Sequence, residues 1–197
     1  VWVITDEVYE HIVYKPYQHI YFATLPRMRE RTLSCSSLSK TYSITGWRLG
    51  YIIAPPKVID EARKVHDYLT VGAASPLQEA AVTGLRFGDE YYTWLRDLYT
   101  DRRDLMLKGL RDIGLKHTEP QGAYYIMVDI SDFGYASDTE FCEDLAKYVG
   151  VGAVPGSAFF HENITSYMRL HFAKNRETLE EALERLRGIY KKMPVRK

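Results

Sequence analysis

Ser37-Leu38-Ser39-Lys40-Thr41-Tyr42-Ser43-Ile44-Thr45-Gly46-Trp47-Arg48-Leu49-Gly50 is the stretch whose reading decides this chain. It offers an amine, small hydroxyls, a guanidinium and two glycines within one loop. A lysine amine forms an imine with an aldehyde, while hydroxyls and an arginine hold a phosphate dianion at a fixed distance from the reacting nitrogen. The loop therefore supplies both chemistry and anchor for one phosphorylated aldehyde. Most lysines that follow serines are solvated surface residues, so Lys40 alone decides nothing; its spacing to the closing Gly-x-Arg-x-Gly does. A Lys-Thr pair also occurs in Walker A loops, but those place glycines ahead of the lysine so that backbone N–H groups wrap phosphates. Ser37 and Ser39 stand there instead, which excludes that reading.

Working outward, Val1-Trp2-Val3-Ile4-Thr5-Asp6-Glu7-Val8-Tyr9-Glu10 is a short apolar, β-branched run ending in an acid and then a phenol. It predicts a buried parallel strand that delivers Asp6 at its C-terminal end, where ligands gather in open α/β sheets. Weighed alone, Asp6 is better read as a helix N-cap. Further on, Ser166-Tyr167-Met168-Arg169-Leu170-His171-Phe172-Ala173 precedes a strongly helical segment. An arginine fork can clamp a carboxylate through two parallel charge-assisted bonds. A single arginine in a short strand is as often a surface or salt-bridged residue.

Together the three stretches resemble the class I and II (fold type I) pyridoxal-phosphate-dependent aminotransferases. The resemblance implies that Lys40 is the catalytic residue and attaches pyridoxal 5'-phosphate. It implies that Asp6 bonds the protonated pyridine nitrogen, that Tyr9 bonds the ring's phenolic oxygen, and that Ser37 and Arg48 hold the phosphate. Arg169 would clamp the substrate's α-carboxylate. The need for Asp6 is physical: the ring is a deep electron sink only while its nitrogen keeps a proton, and a nearby carboxylate favours that form. The implied fold is α/β. Residues 1–74 form the C-terminal part of the large parallel-sheet cofactor-binding domain, and residues 75–197 form connecting helices and a smaller α/β (α+β) C-terminal domain.

The implied reaction is ping-pong transamination between an amino acid and a 2-oxo acid through the Lys40 imine, in the branch acting on aspartate, aromatic, methionine or kynurenine substrates. Two other readings stand beside it: a C–S or related lyase of the same fold, and a folded, dimerising module without catalysis of its own. The resemblance covers essentially all of this chain but only the C-terminal half of the family. The family's glycine-rich phosphate loop, its ring-stacking aromatic and its ring-bonding asparagine are not in it. A homodimer of the full-length enzyme is expected. So is a cytoplasmic location, with organellar targeting left open because any targeting peptide would lie upstream of Val1.

Composition agrees with a folded catalyst. Of 197 residues, 46% are hydrophobic and 26% charged, and 26 basic residues balance 26 acidic ones. That balance gives no electrostatic footprint for nucleic acid or anionic lipid. No apolar run approaches the roughly twenty residues that span a bilayer, and the first residues lack the pattern of a signal peptide. Cys35 and Cys142 are too few for a disulfide framework, and neither they nor the six histidines have metal-ligand spacing.

The pattern predicts strands near 1–5, 32–36 and 50–54, with a hairpin-like aromatic stretch between the first two and the Lys40 loop between the others. A helix follows Pro55-Pro56 to about residue 71. A long helical pattern then runs from Ser75-Pro76 to about Gly114, with Gly84, Gly88 and Gly109 as candidate breaks. Beyond it come a strand near 123–130, a helix near 138–149, strands near 151–154 and 167–172, and a helix near 175–191. Pro120–Asp129 and Gly150–Phe159 read as turn-and-strand pieces whose aromatics pack the core, so they stay outside the site.

Overall fold

The computed structural model describes residues 1–194. The chain divides into two compact units, Val1–Arg96 and Asp97–Lys197, with the division downstream of the boundary expected between residues 74 and 75.

In the first unit β1 (Val3–Asp6), β2 (Thr32–Ser37) and β3 (Gly50–Ile53) form a sheet in that order. β1 and β2 are parallel with Asp6 opposite Cys35, and β3 returns antiparallel with Gly50 opposite Ser37. A Cβ on Gly50 would stand 2.9 Å from the Ser36 carbonyl oxygen, so only glycine lets the strands close at this end.

The segment between β1 and β2 is not hairpin-like. A turn at residues 8–11 and two 3-10 turns, Phe22–Thr24 and Arg29–Arg31, wrap around fully buried Ile12 and Tyr14. Pro16 and Pro26 cannot donate to a ladder, and the backbone bonds locally instead, as from Leu25 N to Phe22 O.

β1 is not the buried strand that its sequence suggests. Alternate residues face solvent, and Ile4 is 73% exposed, because no other element of the unit covers that face.

Lys40 lies not in an open loop but in a one-turn helix, α1 (Leu38–Thr41). Ser37 caps it, accepting from Ser39 N at 3.1 Å. The turn is held from below. Leu38 and Leu49 pack with Ala81, Tyr42, Ile44 and Leu77, and Tyr91 donates to the Thr41 carbonyl at 2.7 Å. Ala81 and Leu77 belong to α3 (Ser75–Leu85), which follows α2 (Pro56–Thr70). Gly84 lies within α3, and the Tyr42 ring stands 3.1 Å from where a Cβ would be, so close packing rather than a helix end accounts for the glycine. α2 starts on proline, as first-turn geometry favours, and buries no residue.

α4 (Asp89–Ile113) spans the division, and the chain breaks between α3 and α4 at Arg86–Gly88. Gly109 does not break α4; Leu183 packs where its side chain would be.

The second unit has an antiparallel sheet of order β4-β6-β5, with β4 (Tyr125–Asp129), β5 (Val154–Pro155) and β6 (Tyr167–His171). Ile126, Val128, Met168 and Leu170 alternate inward and are buried, while Tyr125, Met127 and Arg169 point to the other face. α5 (Asp138–Asp144) starts on a Ser137 cap and runs into a π-helical turn, Leu145–Val149, that ends on Gly150 at φ +78°. α6 (Arg176–Leu186) starts on Asn175, which accepts from Thr178 N at 3.0 Å. Leu179, Leu183 and Leu186 line its buried face at helical spacing, and α7 (Ile189–Lys192) closes the unit. Together with Leu110, Phe141, Leu145 and Phe172 they form a continuous apolar core.

Candidate active site

The C-terminal ends of β1 and β2 open into a cleft of about 600 Å³. Asp6, Ser37, Lys40 and Arg48, four of the residues singled out in the sequence, share its wall with Ser39 and Thr45. Each arrives by a local cause. Parallel pairing sets Asp6 beside Cys35, so Ser37 and α1 continue past the end of β1. Thr45 starts a 3-10 turn (Thr45–Trp47), and its hydroxyl donates to Ser39 O at 3.2 Å. Arg48 ends that turn in the left-handed region at φ 55° and ψ 44°, and its guanidinium donates to Thr45 O at 2.8 Å. A non-glycine residue there carries strain of order 1 kcal/mol, which the surrounding turn must offset.

Asp6 accepts from Val8 N at 3.3 Å through one carboxylate oxygen, which orients the group. The Ser37 hydroxyl lies 2.7 Å from Ser39 Oγ and 2.9 Å from Leu49 O. Burial, reinforced by Asp6 and Glu7, pushes the Cys35 thiol up from its ordinary value, so this wall residue stays neutral. Glu7 behind it is buried. Desolvation would raise its pKa, but hydrogen bonds from Thr5 and His19 and the His19 charge outweigh that and hold it low.

Tyr9 lies in the turn at residues 8–11 and is not part of the cleft wall. Ser39 and Thr45 are wall residues that the sequence reading left out. They sit inside the quoted run, so their hydroxyls were visible, but only the α1 turn shows that they face the same cavity. Cys35 could be found only through the strand register.

The donor set suits a phosphorylated pyridine aldehyde. Hydroxyls and a guanidinium can meet a dianion, an amine can meet an aldehyde, and a carboxylate can meet a protonated ring nitrogen. Among the described residues no His/Cys/Asp/Glu group could hold a metal ion.

In the second unit Arg169 sits on the outer face of β6. Its guanidinium carbon lies 3.7 Å from the Phe159 ring centroid and 4.9 Å from that of Tyr125. Among the described residues no carboxylate forms an ion pair with it. Two residues along the same strand, His171 is held below its ordinary pKa by burial and by the charges of Lys174 and Arg169.

A sheet that sets an acid at a strand end, with a capped lysine turn and an arginine on the same cleft wall, defines an α/β protein with a cleft suited to an anionic ligand. Comparison with known proteins specifies which. The family model for aminotransferase class I and II matches residues 1–186. The chain is 40% identical to the methionine aminotransferase of Escherichia coli over 96% of this chain and 49% of that protein. It is 38% identical to the bifunctional aspartate aminotransferase and glutamate/aspartate-prephenate aminotransferase of Petunia hybrida, over 94% of this chain and 41% of that one. The solved structure of N-succinyldiaminopimelate aminotransferase from Mycobacterium tuberculosis superposes with a TM-score of 0.90 at 36% identity, covering 95% of this chain and 49% of that chain. The chain therefore belongs to the class I and II aminotransferases, a pyridoxal-phosphate-dependent family. It spans about half the length of the curated relatives it matches.

Proposed function

We propose that the whole enzyme transfers an amino group from an amino acid to a 2-oxo acid in two successive half-reactions. When bound, pyridoxal phosphate supplies an aldehyde that condenses with amines and a protonated ring that withdraws electrons from the carbon whose C–H bond breaks. Lys40 Nζ is the covalent attachment point. With its amine free, Lys40 Nζ would take the proton from the substrate Cα. Asp6 keeps the ring nitrogen protonated by charge and hydrogen bonding, and Tyr9 donates to the ring oxygen. Ser37 and Arg48 hold the phosphate, fixing the ring so that the breaking bond stays aligned with its π system. Arg169 binds the substrate carboxylate through its N–H fork.

One observation carries this reading: Asp6, Ser37, Lys40 and Arg48 meet on one cleft wall. Similarity to methionine and aspartate aminotransferases, and to the solved structure of an aromatic aminotransferase from Pyrococcus horikoshii, supports amino-acid substrates. Two free cysteines suit a reducing compartment, in line with a cytoplasmic location, and no helix among the described residues is long and apolar enough to cross a membrane. The reading includes a homodimer of the whole enzyme, which sedimentation would measure.

The test is a visible spectrum after incubation with pyridoxal phosphate, before and after borohydride, beside Lys40→Ala. A Lys40-dependent band that borohydride fixes to the protein is expected; a band indifferent to Lys40 overturns the assignment. Formation of 2-oxo acid without an added acceptor would instead indicate a lyase.

A further inference from the structure

Phe159 is an aromatic residue with a cation over its ring. It is 46% exposed, so core burial does not account for where it sits. The Arg169 guanidinium carbon lies 3.7 Å from its ring centroid. At that separation the carbon must stand over the ring face, because an approach in the ring plane would clash with the ring carbons. Such contact holds a cation by the ring's quadrupole and leaves the N–H donors free for an anion.

The ring's place is itself built. Phe159 ends a 3-10 turn, Gly156–Phe159, that follows β5 directly. β5 pairs with β6 through Val154 opposite Arg169, so the turn begins beside the arginine it serves. A Cβ on Gly156 would stand 2.6 Å from the Tyr167 carbonyl oxygen, so glycine alone allows the turn to lie this close to β6. One residue on, Ser157 donates to buried Asp138 twice, from its backbone N at 2.6 Å and its hydroxyl at 3.0 Å. Asp138 is only 1% exposed and both of its oxygens are used, which pins the turn from the α5 side. Tyr125 on β4 adds a second ring 4.9 Å from the guanidinium carbon.

We propose that Phe159 is a positioning residue for the carboxylate-binding arginine. In this role Gly156 and the Asp138–Ser157 pair set its ring, and the ring sets the orientation of the Arg169 fork toward a carboxylate substrate. This rests on the reading of Arg169 as the carboxylate site. An arginine side chain left to rotate would lose part of its binding free energy to ordering on each encounter; a stacked one arrives oriented.

The experiment compares Phe159→Leu, Phe159→Tyr and Arg169→Leu in the whole enzyme loaded with pyridoxal phosphate. Phe159→Leu should raise KM for the amino donor about tenfold with a much smaller change in kcat, and Phe159→Tyr should restore it to within about twofold. A second readout needs neither cofactor nor substrate. The Nε–Hε resonance of Arg169, displaced by the ring current, should move toward the ordinary arginine position in Phe159→Leu and stay displaced in Phe159→Tyr. If Phe159→Leu leaves both KM and the resonance unchanged while Arg169→Leu raises KM sharply, the positioning role is overturned and the clamp stands. If Arg169→Leu leaves KM unchanged, the clamp itself fails and Phe159 has nothing to position.

Discussion

The two units of this chain bury their apolar residues very differently. In Asp97–Lys197 a continuous core runs from Leu110 through Ile126, Phe141, Leu145, Met168 and Phe172 to Ile189. In Val1–Arg96 the sheet leaves Ile4, Ile52 and Ile53 largely exposed, and α2 exposes Val65, Tyr68 and Leu69. The residues that equip the cleft nevertheless lie in the poorly covered unit, Val1–Arg96. Site geometry here depends on local devices rather than on a deep core. The Ser37 cap, the Gly50 approach and the small cluster of Leu38, Leu49 and Ala81 fix the lysine turn.

That contrast can be broken by separating activity from stability. The largest expected effect is Lys40→Ala, which should lower kcat of the whole enzyme roughly 10⁴-fold or more while leaving the melting temperature nearly unchanged. A large fall in melting temperature would mean that the cleft also carries the fold. Arg169→Leu should follow, costing roughly 10²- to 10⁴-fold in kcat/KM, since two charge-assisted bonds at about 1.5–3 kcal/mol each would be lost.

Truncations weigh the cores directly. Leu110→Ala, at a fully buried site, should cost about 2–5 kcal/mol in urea unfolding. Ile53→Ala, at a site 63% exposed, should stay within about 0.5 kcal/mol. Similar costs would abolish the distinction between the units.

The smallest effect is in pH. Burial, against the attraction of Glu10, holds His11 below its ordinary pKa of 6.5, where it stacks on Tyr92 at 4.5 Å. A histidine depressed in the folded state binds its proton more readily when unfolded. Its share of stability is therefore complete above about pH 6.5 and shrinks as pH falls toward the folded-state value. His171 in the other unit has the same sign. Urea titrations at pH 7.5 and 5.5 should show the loss, and His11→Phe should reduce it; no reduction would place the acid sensitivity elsewhere.

Much of this was legible in the sequence, and the failures have physical causes. All six strands fall within a few residues of where period and turn residues put them, because short apolar or alternating runs between turn residues are local signals. The wrapped segment between β1 and β2 was misread, since aromatics spaced by prolines look like strand until a buried Tyr14 draws the chain inward. Gly84 and Gly109 looked like helix breaks, yet each is small because Tyr42 or Leu183 occupies the space, a fact of packing that no local pattern encodes. Asp6, Ser37, Lys40 and Arg48 were singled out through the resemblance of their motifs to a known family, and the structure sets all four on one cleft wall. Phe159 was set aside as core, because only the approach of its turn to β6 reveals the cation on its face.

One hydroxyl at the cleft has a larger consequence than its size suggests. Ser37 Oγ carries a single proton and has two acceptors in reach, Ser39 Oγ and Leu49 O. The Leu49 carbonyl also accepts from Leu38 N at 3.2 Å. If the Ser37 proton turns outward to an arriving anion, that carbonyl keeps a partner, and the Ser39 hydroxyl can donate to Ser37 Oγ instead of accepting from it. The cleft can thus change from bonding itself to bonding a guest by rotation about one side-chain torsion, with the backbone already in its final position.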